Sequence, residues 1–344
     1  MSGSSRSTEL PAHDVVERPW RQKQRGGTRE GRMLDRVVVR VPPAISELDL
    51  APAPADMIAG EQALQAVARA DGAAGPGAGA LARFMIRTES IASSRIEHID
   101  VGMDDLARAV AGSRAHAAAL SMVAAAEAIH ELHRRVGVRR QVELADILEV
   151  HRLLMRDDEN AGDRYWAGRI REDQNWIGGS QYSPRDALYV PPPPESVGEL
   201  LDDLLVFADR DDVPVGLQIA IAHAQFESIH PFTDGNGRIG RALIGAILQR
   251  RGVTRHAGVP VAGGSWLSER NTSRVWATTG TVVSGPSSAS SPVPWRSRPR
   301  SRWSRSSGCG RCPRTGGERP RRGPARLGHR STSGRPPRAS DRDR

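Results

Sequence analysis

Cysteine, lysine and aromatic residues are scarce in this chain of 344 residues. Its two cysteines, Cys309 and Cys312, both lie near the carboxy terminus, so no disulfide framework supports the fold. Their Cys-x-x-Cys spacing lacks the second ligand pair that a structural zinc site normally needs, and we interpret it as chance. No stretch approaches the roughly 20 apolar residues of a membrane span, and the amino terminus has no apolar signal-peptide core. We therefore expect a soluble, cytoplasmic protein with no membrane partner.

Positive charge is abundant but is confined to one end of the chain. The net charge is +9, yet residues 284–344 alone contain 16 arginines against three acids, so the remainder is negatively charged. The charge balance therefore does not indicate a nucleic-acid partner for the folded part. Residues 269–344 are rich in Arg, Ser, Pro and Gly without an apolar period, which is typical of a disordered tail. A nucleic-acid-associated protein acting through this tail is one alternative function.

Hydrophobic periodicity between about residues 45 and 250 predicts a mostly α-helical fold. The first 30 residues are polar, and their composition predicts disorder. The short β-branched run Arg36–Val41 predicts a strand or an extended arm. Helices are predicted at Ala80–Glu97, Asp104–Val110, His116–Val136, Gln141–Met155, Ser196–Ala208, Pro214–Ile229 and Arg238–Gln249.

Residues 169–194 interrupt this helical pattern. A turn at Gly178-Gly179 is followed by the apolar run Leu188-Tyr189-Val190 and then by four consecutive prolines. The prolines exclude a helix and favour a polyproline strut. The glycine turn before an apolar run predicts a small β-hairpin beside the helices.

The densest chemical signal is the segment His230-Pro-Phe-Thr-Asp-Gly-Asn-Gly-Arg-Ile-Gly-Arg241, which lies between two predicted helices. Gly235 and Gly237 allow a tight turn whose N–H groups can approach an anion at the start of the following helix. Arg238 and Arg241 lie three residues apart on one helical face, where both can hold phosphate oxygens. These features predict a phosphate-binding loop.

Two further side chains in this segment add chemistry to the predicted loop. Asp234 offers the hard oxygen ligand that suits Mg²⁺ shared with phosphates. His230 titrates near neutral pH, which suits a general base. The alternative is an ordinary glycine loop with a core histidine and solvated arginines, but the coincidence of these groups in one short stretch favours a site.

This segment resembles the Fic signature His-x-Phe-x-(Asp/Glu)-Gly-Asn-Gly-Arg-x-x-Arg, and every specified position matches. The resemblance implies a helical core with a hairpin flap, which binds ATP with Mg²⁺ and transfers AMP to a hydroxyl of a protein or of itself. It implies that His230 deprotonates the hydroxyl and that Asp234 holds Mg²⁺. The nucleotide-binding residues that it implies are Gly235, Asn236, Gly237, Arg238 and Arg241. Relatives that transfer the γ-phosphoryl group carry lysine where this chain has Gly237, so the glycine favours AMP transfer.

The predicted hairpin also resembles a part of the same family. Gly178 and Gly179 through Tyr189 and Val190 are similar to the flap, which pins a target peptide by strand pairing beside the histidine. A purely structural loop is the alternative interpretation of this weaker signal.

An upstream segment, Ser93-Ser94-Arg95-Ile96-Glu97-His98, resembles the family's inhibitory motif (Ser/Thr)-x-x-x-Glu-(Gly/Asn). Ser93 and Glu97 match, whereas His98 departs from the pattern. A Glu97 carboxylate paired with Arg241 would occupy the guanidinium that should hold the γ-phosphate. The alternative is a surface acid in an ordinary ion pair.

The resemblance covers about residues 26–268 and organises the chain into four regions. These are a disordered amino terminus (1–30), a helical region with the inhibitory motif (31–115), a Fic core (116–268) and a low-complexity tail (269–344). Back-translated with GC-rich codons and read two bases out of frame, the stretch after Asn271 gives Tyr-Arg-Asp-Gly, which is similar to a segment of Fic relatives. We hypothesise a frameshift near residues 269–271, which sequencing the locus would test.

Other functions remain open at the level of sequence. The main alternative is an inactive or regulatory Fic remnant that binds nucleotide or a partner without turnover. Removal of AMP and assembly into a homo-oligomer are further alternatives.

Overall fold

The structure is a computed structural model that describes residues 10–49, 51–74, 88, 91–92, 103–113, 115–156, 158 and 160–255. In chain order its elements are β1 (Asp14–Pro19), α1 (Arg29–Arg32), β2 (Arg36–Val41), α2 (Pro54–Ala74), α3 (Met103–Val110), α4 (Ala117–Arg139), α5 (Leu144–Met155), α6 (Ala161–Tyr165), a 3₁₀ turn (Pro194–Ser196), α7 (Val197–Ala208), α8 (Val215–Ile229) and α9 (Asn236–Arg250). The predicted mostly helical fold is confirmed. Six predicted helices lie within a few residues of their expected bounds, whereas most of Ala80–Glu97 lies outside the described residues, as does the tail.

Helix α9 is the central element of the helical core. It packs against α8 on one side and α4 on another, while α5 packs on α4 and α7 on α8. Almost every residue of α9 is buried, including the small residues Gly240 and Ala246. A helix surrounded by other elements on most sides is a rigid support, so its first turn offers a fixed platform. Within the described part of the chain, no helix has the length and apolar character needed to cross a membrane.

The close approach of α4 and α9 depends on a glycine. A Cβ atom at Gly245 would lie 2.4 Å from Nε2 of His133 on α4. We expect Gly245→Ala to lower the free energy of unfolding by about 1–3 kcal/mol, because overpacking pushes the helices apart. Gly60→Ala on α2 is the matched control: a Cβ atom there meets nothing within 4 Å, so this change should stabilise by about 0.5–1 kcal/mol. Urea unfolding measures both, and equal effects would contradict the packing argument.

Strands β1 and β2 form an antiparallel ribbon in which Asp14 lies opposite Val41 and Pro19 opposite Arg36. The predicted strand Arg36–Val41 is therefore present. The structure also gives order to residues 10–30, for which composition predicts disorder. Two contacts explain this difference, because the backbone of β1 pairs with β2 and Trp20 packs edge-on against Trp176 at 5.4 Å.

The predicted hairpin consists of two isolated bridges, Ile177 with Tyr189 and Ser180 with Ser183, rather than a continuous ladder. It joins the ribbon where the Arg40 N–H donates to the Val190 carbonyl at 2.9 Å. The hairpin is thus a lateral extension of the ribbon and is anchored at its base.

The glycines of the hairpin turn are required by the backbone. Gly178 and Gly179 have φ values of 79° and 69°, which other residues rarely adopt. The tip of the hairpin is held from the other side, since a Cβ atom at Gly26 would lie 2.4 Å from the Tyr182 ring. The amino-terminal segment therefore packs directly on the hairpin and restricts its position.

Candidate active site

The predicted motif residues run from the end of α8 into the first turns of α9. His230 caps the end of α8 in the left-handed conformation, with φ 48° and ψ 61°, and its N–H donates to the Phe226 carbonyl at 3.0 Å. Gly235 precedes α9 with φ 80°. A Cβ atom at Gly235 would lie 3.1 Å from Leu154 and 3.2 Å from the Met155 sulfur. Both the backbone angle and the available space therefore require glycine here.

Asn236 closes the loop with its side chain. Its Oδ1 accepts from the Phe232 N–H and its Nδ2 donates to the Phe232 carbonyl, both at 2.9 Å. Both residues are buried, so each of these polar atoms needs a partner within the protein. The side-chain amide of Asn236 therefore fixes the loop. Asn236 is also the first residue of α9, and Gly237 follows it.

A residue outside the motif, on helix α5, packs against the same loop. His151 on α5 stacks on Phe232 with ring centroids 3.7 Å apart and planes inclined by 9°. Its Nδ1 accepts from the Gly168 N–H at 2.9 Å, so Nε2 carries the proton and donates to the Asp234 carbonyl at 3.1 Å. Burial lowers the pKa of His151 to about 4, which keeps the ring neutral. In the sequence His151 belongs to the apolar stripe of its helix. No sequence feature distinguishes it from a histidine that only fills the core.

The His230 imidazole is partly buried. Burial lowers the pKa of this imidazole. The Glu227 carboxylate opposes that shift, while the Arg171 guanidinium adds to it. The ring is therefore neutral at neutral pH, which is the form that accepts a proton.

Two buried arginines occupy the first turns of α9. Arg238 is only 3% exposed and is loosely held: its guanidinium lies 3.5 Å from the Ser121 hydroxyl and 3.7 Å from both the Met155 sulfur and the Asp234 carboxylate. These separations are at or beyond the limit of good hydrogen bonds. Arg241 is also buried, and its charge adds to the burial that lowers the pKa of His223 to about 4. Positive charge is thus concentrated where a helix N-terminus already favours anions.

Asp234 supplies the negative group of the site. Its side chain is 28% exposed, and its Oδ1 accepts from the Gly235 N–H at 2.6 Å. Burial raises the pKa of nearby Asp163, and the Asp234 charge adds to that shift. A partly exposed carboxylate offers the hard oxygen ligand that fits a cation such as Mg²⁺. No set of three or more His, Cys, Asp or Glu side chains forms a complete metal cage in the described ranges, so such an ion would take most ligands from phosphates and water.

Of the predicted inhibitory and hairpin residues, the structure describes only those of the hairpin. Ser93 and Glu97 lie outside the described residues. Tyr189 and Val190 are buried, and the Tyr189 hydroxyl donates to the Ser228 carbonyl at 2.9 Å, two residues before the histidine. Burial raises the pKa of Tyr189, so the hydroxyl keeps its proton. The hairpin base therefore contacts the end of α8 directly.

The family model and the curated relatives that match this chain point to the same protein family. The Fic/DOC family model matches residues 141–248. Protein adenylyltransferase fic-1 of Caenorhabditis elegans is 34% identical over 116 residues, which cover 33% of this chain and 20% of that protein. A probable protein adenylyltransferase of Aquifex aeolicus (strain VF5) is 29% identical over 178 residues, covering 49% of this chain and 50% of that protein.

A solved structure of Fic-1 from Caenorhabditis elegans aligns with a TM-score of 0.46 and 23% identity, covering 67% of this chain and 71% of that chain. The chain matches between one fifth and one half of the length of these two curated relatives.

Proposed function

We propose that the chain is a Fic/DOC family protein, whose family model matches residues 141–248, and that it transfers AMP from ATP to a hydroxyl of a target protein or of itself. One observation carries this proposal: the α8–α9 loop and the first turns of α9 hold a neutral imidazole, a carboxylate and two buried arginines within twelve residues. The relatives' names, protein adenylyltransferases, give the same reaction class.

In the proposed reaction, His230 takes the proton from the target hydroxyl as its oxygen attacks the α-phosphorus of ATP. A new bond forms between that oxygen and the α-phosphorus. The bond from the α-phosphorus to the bridging oxygen breaks, and pyrophosphate leaves. The lowered pKa of His230 keeps the imidazole ready to accept this proton at neutral pH.

The nucleotide would lie across the first turn of α9. Arg238 and Arg241 would neutralise phosphate charge, and the main chain of Gly235 and Gly237 would allow close approach of the phosphates. Asp234 would hold Mg²⁺, which when bound supplies further neutralisation of the phosphate oxygens. The buried, loosely held Arg238 supports this assignment, because an anion would complete its hydrogen bonds.

The proposed activity includes a built-in brake. We assign it to Glu97, whose carboxylate would pair with Arg241 and so exclude the γ-phosphate from that guanidinium. Arg241 is buried at the first turns of α9, where a competing carboxylate would displace a phosphate directly. ATP bound without this contact would be misaligned for in-line attack.

The test uses the purified full chain with α-labelled ATP and Mg²⁺. It compares the wild type, Glu97→Gly, and Glu97→Gly combined with His230→Ala. We expect strong self-labelling by Glu97→Gly, weak labelling by the wild type and none by the double variant. Parallel reactions with γ-labelled ATP should stay unlabelled, because AMP transfer leaves the γ-phosphate in pyrophosphate.

A silent result from all three proteins in folded samples would contradict the catalytic proposal. The second candidate, a remnant that binds nucleotide without turnover, would then take its place if ATP with Mg²⁺ still raised the melting temperature. Labelling that persists in the double variant would instead contradict the role of His230.

A further inference from the structure

Every carbonyl group from Ser228 to Phe232 accepts a hydrogen bond from the segment that carries the hairpin. The last carbonyls of a helix have no partner within the helix, so other groups must bond them. The donors are the Tyr189 hydroxyl to Ser228 (2.9 Å), Arg171 Nη2 to Ile229 (3.3 Å), Arg171 Nε to His230 (2.9 Å), the Arg171 N–H to Pro231 (2.9 Å), and Asn175 Nδ2 to both His230 (3.3 Å) and Phe232 (3.0 Å). The end of α8 is therefore held from one side by a single stretch of chain.

Arg171 is the centre of this arrangement and is an unusual cation. Its side chain is 2% exposed, and it also donates to the carbonyls of Asp173 (3.2 Å) and Pro192 (2.6 Å). Among the described residues, the hydrogen-bond acceptors of its guanidinium are all main-chain carbonyl groups. Burial lowers the pKa of Arg171 to about 10. Burying a cation with only carbonyl partners is costly, because the charge loses its hydration without gaining an opposite charge. A neutral amide could cap the helix without that desolvation cost.

The left-handed backbone conformation of His230 explains what the buried Arg171 stabilises. A left-handed conformation is unfavourable for a residue other than glycine and persists only where its surroundings fix it. At His230 the N–H is bonded to the Phe226 carbonyl and the carbonyl is bonded by Arg171 and Asn175. Both sides of the residue are thus fixed, and one of them depends on Arg171.

We propose that Arg171 is a positioning residue for the AMP-transfer reaction, which holds the main chain of His230 so that its imidazole meets the target hydroxyl in line with the α-phosphate. Asn175 assists by bonding the same carbonyl and that of Phe232. This inference rests on the proposed function. Neither residue belongs to the motif, and both lie at the base of the hairpin, so a displacement of the hairpin would also move the histidine.

The first test measures AMP transfer in the Glu97→Gly background. Arg171→Gln removes both the charge and the planar set of guanidinium N–H donors. Arg171→Lys keeps the charge but loses that set of donors. We expect both to lower kcat by roughly 10- to 100-fold, because a displacement of about 1 Å can cost about 100-fold. The KM for ATP should stay within about threefold, since the Arg171 side chain bonds only main-chain carbonyls and does not belong to the phosphate-binding turn.

Arg250→Gln is the matched control for a buried arginine. Arg250 lies at the far end of α9, about 20 Å from its first turn by helical rise, and also donates to carbonyls, those of Asp209 and Arg210. Its loss should lower stability but leave kcat of the folded protein within about twofold. A fall in kcat equal to that of Arg171→Gln would overturn the proposal, as would an effect of Arg171→Gln on KM alone.

A second measurement does not depend on catalysis. The imidazole of His230 is titrated by NMR, with its signals assigned by their loss in His230→Ala. The charged groups that act on it are Glu227 and Asp234, which raise its pKa, and Arg171, which lowers it. Arg171→Gln should therefore raise the pKa of His230, whereas Arg171→Lys should change it less. If Glu97→Gly transfers no AMP, the proposed function fails while this titration still decides the inference, and an unchanged pKa in Arg171→Gln overturns it.

Discussion

Arg238→Met is expected to weaken ATP binding by at least about 100-fold and, at the same time, to stabilise the nucleotide-free protein by about 1–2 kcal/mol. The two effects have one cause. Arg238 is a buried guanidinium whose nearest described partners lie 3.5 to 3.7 Å away. Its desolvation is poorly compensated until phosphate oxygens complete its hydrogen bonds. Methionine matches the aliphatic stem of arginine without the charged guanidinium, so it removes both the cost in the free protein and the gain in the complex.

The control is Arg250→Met, in a second buried arginine of the same helix. Arg250 lies 2.9 Å from the Asp211 carboxylate and 3.1 Å from that of Asp209. Its removal takes one charged partner from both acids, although Asp211 keeps Arg251 at 3.6 Å and Asp209 keeps the Val142 N–H at 3.1 Å. We expect a loss of about 3 kcal/mol. ATP binding should stay unchanged, because the residue lies at the opposite end of α9 from the proposed phosphate site.

Urea unfolding without nucleotide and calorimetric titration with ATP and Mg²⁺ measure the two effects separately. His230→Ala serves as the catalytic counterpart: it should remove turnover while keeping ATP affinity within a few-fold. If Arg238→Met destabilises as Arg250→Met does and still binds ATP, then Arg238 is a structural residue. The expected opposite signs would identify a position where stability is given up for ligand binding.

The part of the site that the sequence predicted is contiguous along the chain. The twelve motif positions run from the end of one predicted helix into the first turns of the next, and the structure places them there. Local rules on glycine, helix termini and arginine spacing suffice for such a segment. The hairpin was predicted at the correct place for the same reason, because a glycine turn and a proline run mark its ends.

The residues that the sequence did not reveal act across long separations. Arg171 bonds carbonyls almost 60 positions away, and carbonyl groups leave no trace in a side-chain pattern. His151 supports the loop from another helix but reads as one member of an apolar stripe. Tyr189 turns inward towards Ser228, a direction that depends on the register of the hairpin. In β1, all side chains are exposed, so the alternation that signals a strand is missing.

Three histidines of the helical core make the fold sensitive to mild acid. Burial lowers the pKa values of His133, His151 and His223 to about 4 each, whereas the unfolded chain titrates at the ordinary value of 6.5. Between pH 6.5 and 4 the unfolded state therefore binds more protons than the folded state, and stability falls as the pH falls. With three such groups, the free energy of unfolding should drop by up to about 4 kcal/mol per pH unit in this window. The total loss by pH 4 is at most about 10 kcal/mol, which is enough to unfold a domain in the lower part of the ordinary range of about 5–15 kcal/mol.

Urea unfolding at pH 7, 6 and 5 measures this slope, and His133→Gln should reduce it by about one third. Exposed carboxylates offer a separate route to acid unfolding, since ion pairs lower the pKa of Glu131 and of Asp212 to about 2. Their contribution disappears only below about pH 4 and is screened by salt, whereas the histidine contribution depends on burial and persists at 0.5 M NaCl. A free energy of unfolding that stays level from pH 6.5 to 4 would contradict neutral burial of the three histidines. A steep, salt-insensitive loss in that window would instead place the acid sensitivity in the core around α9 and the loop that His151 supports.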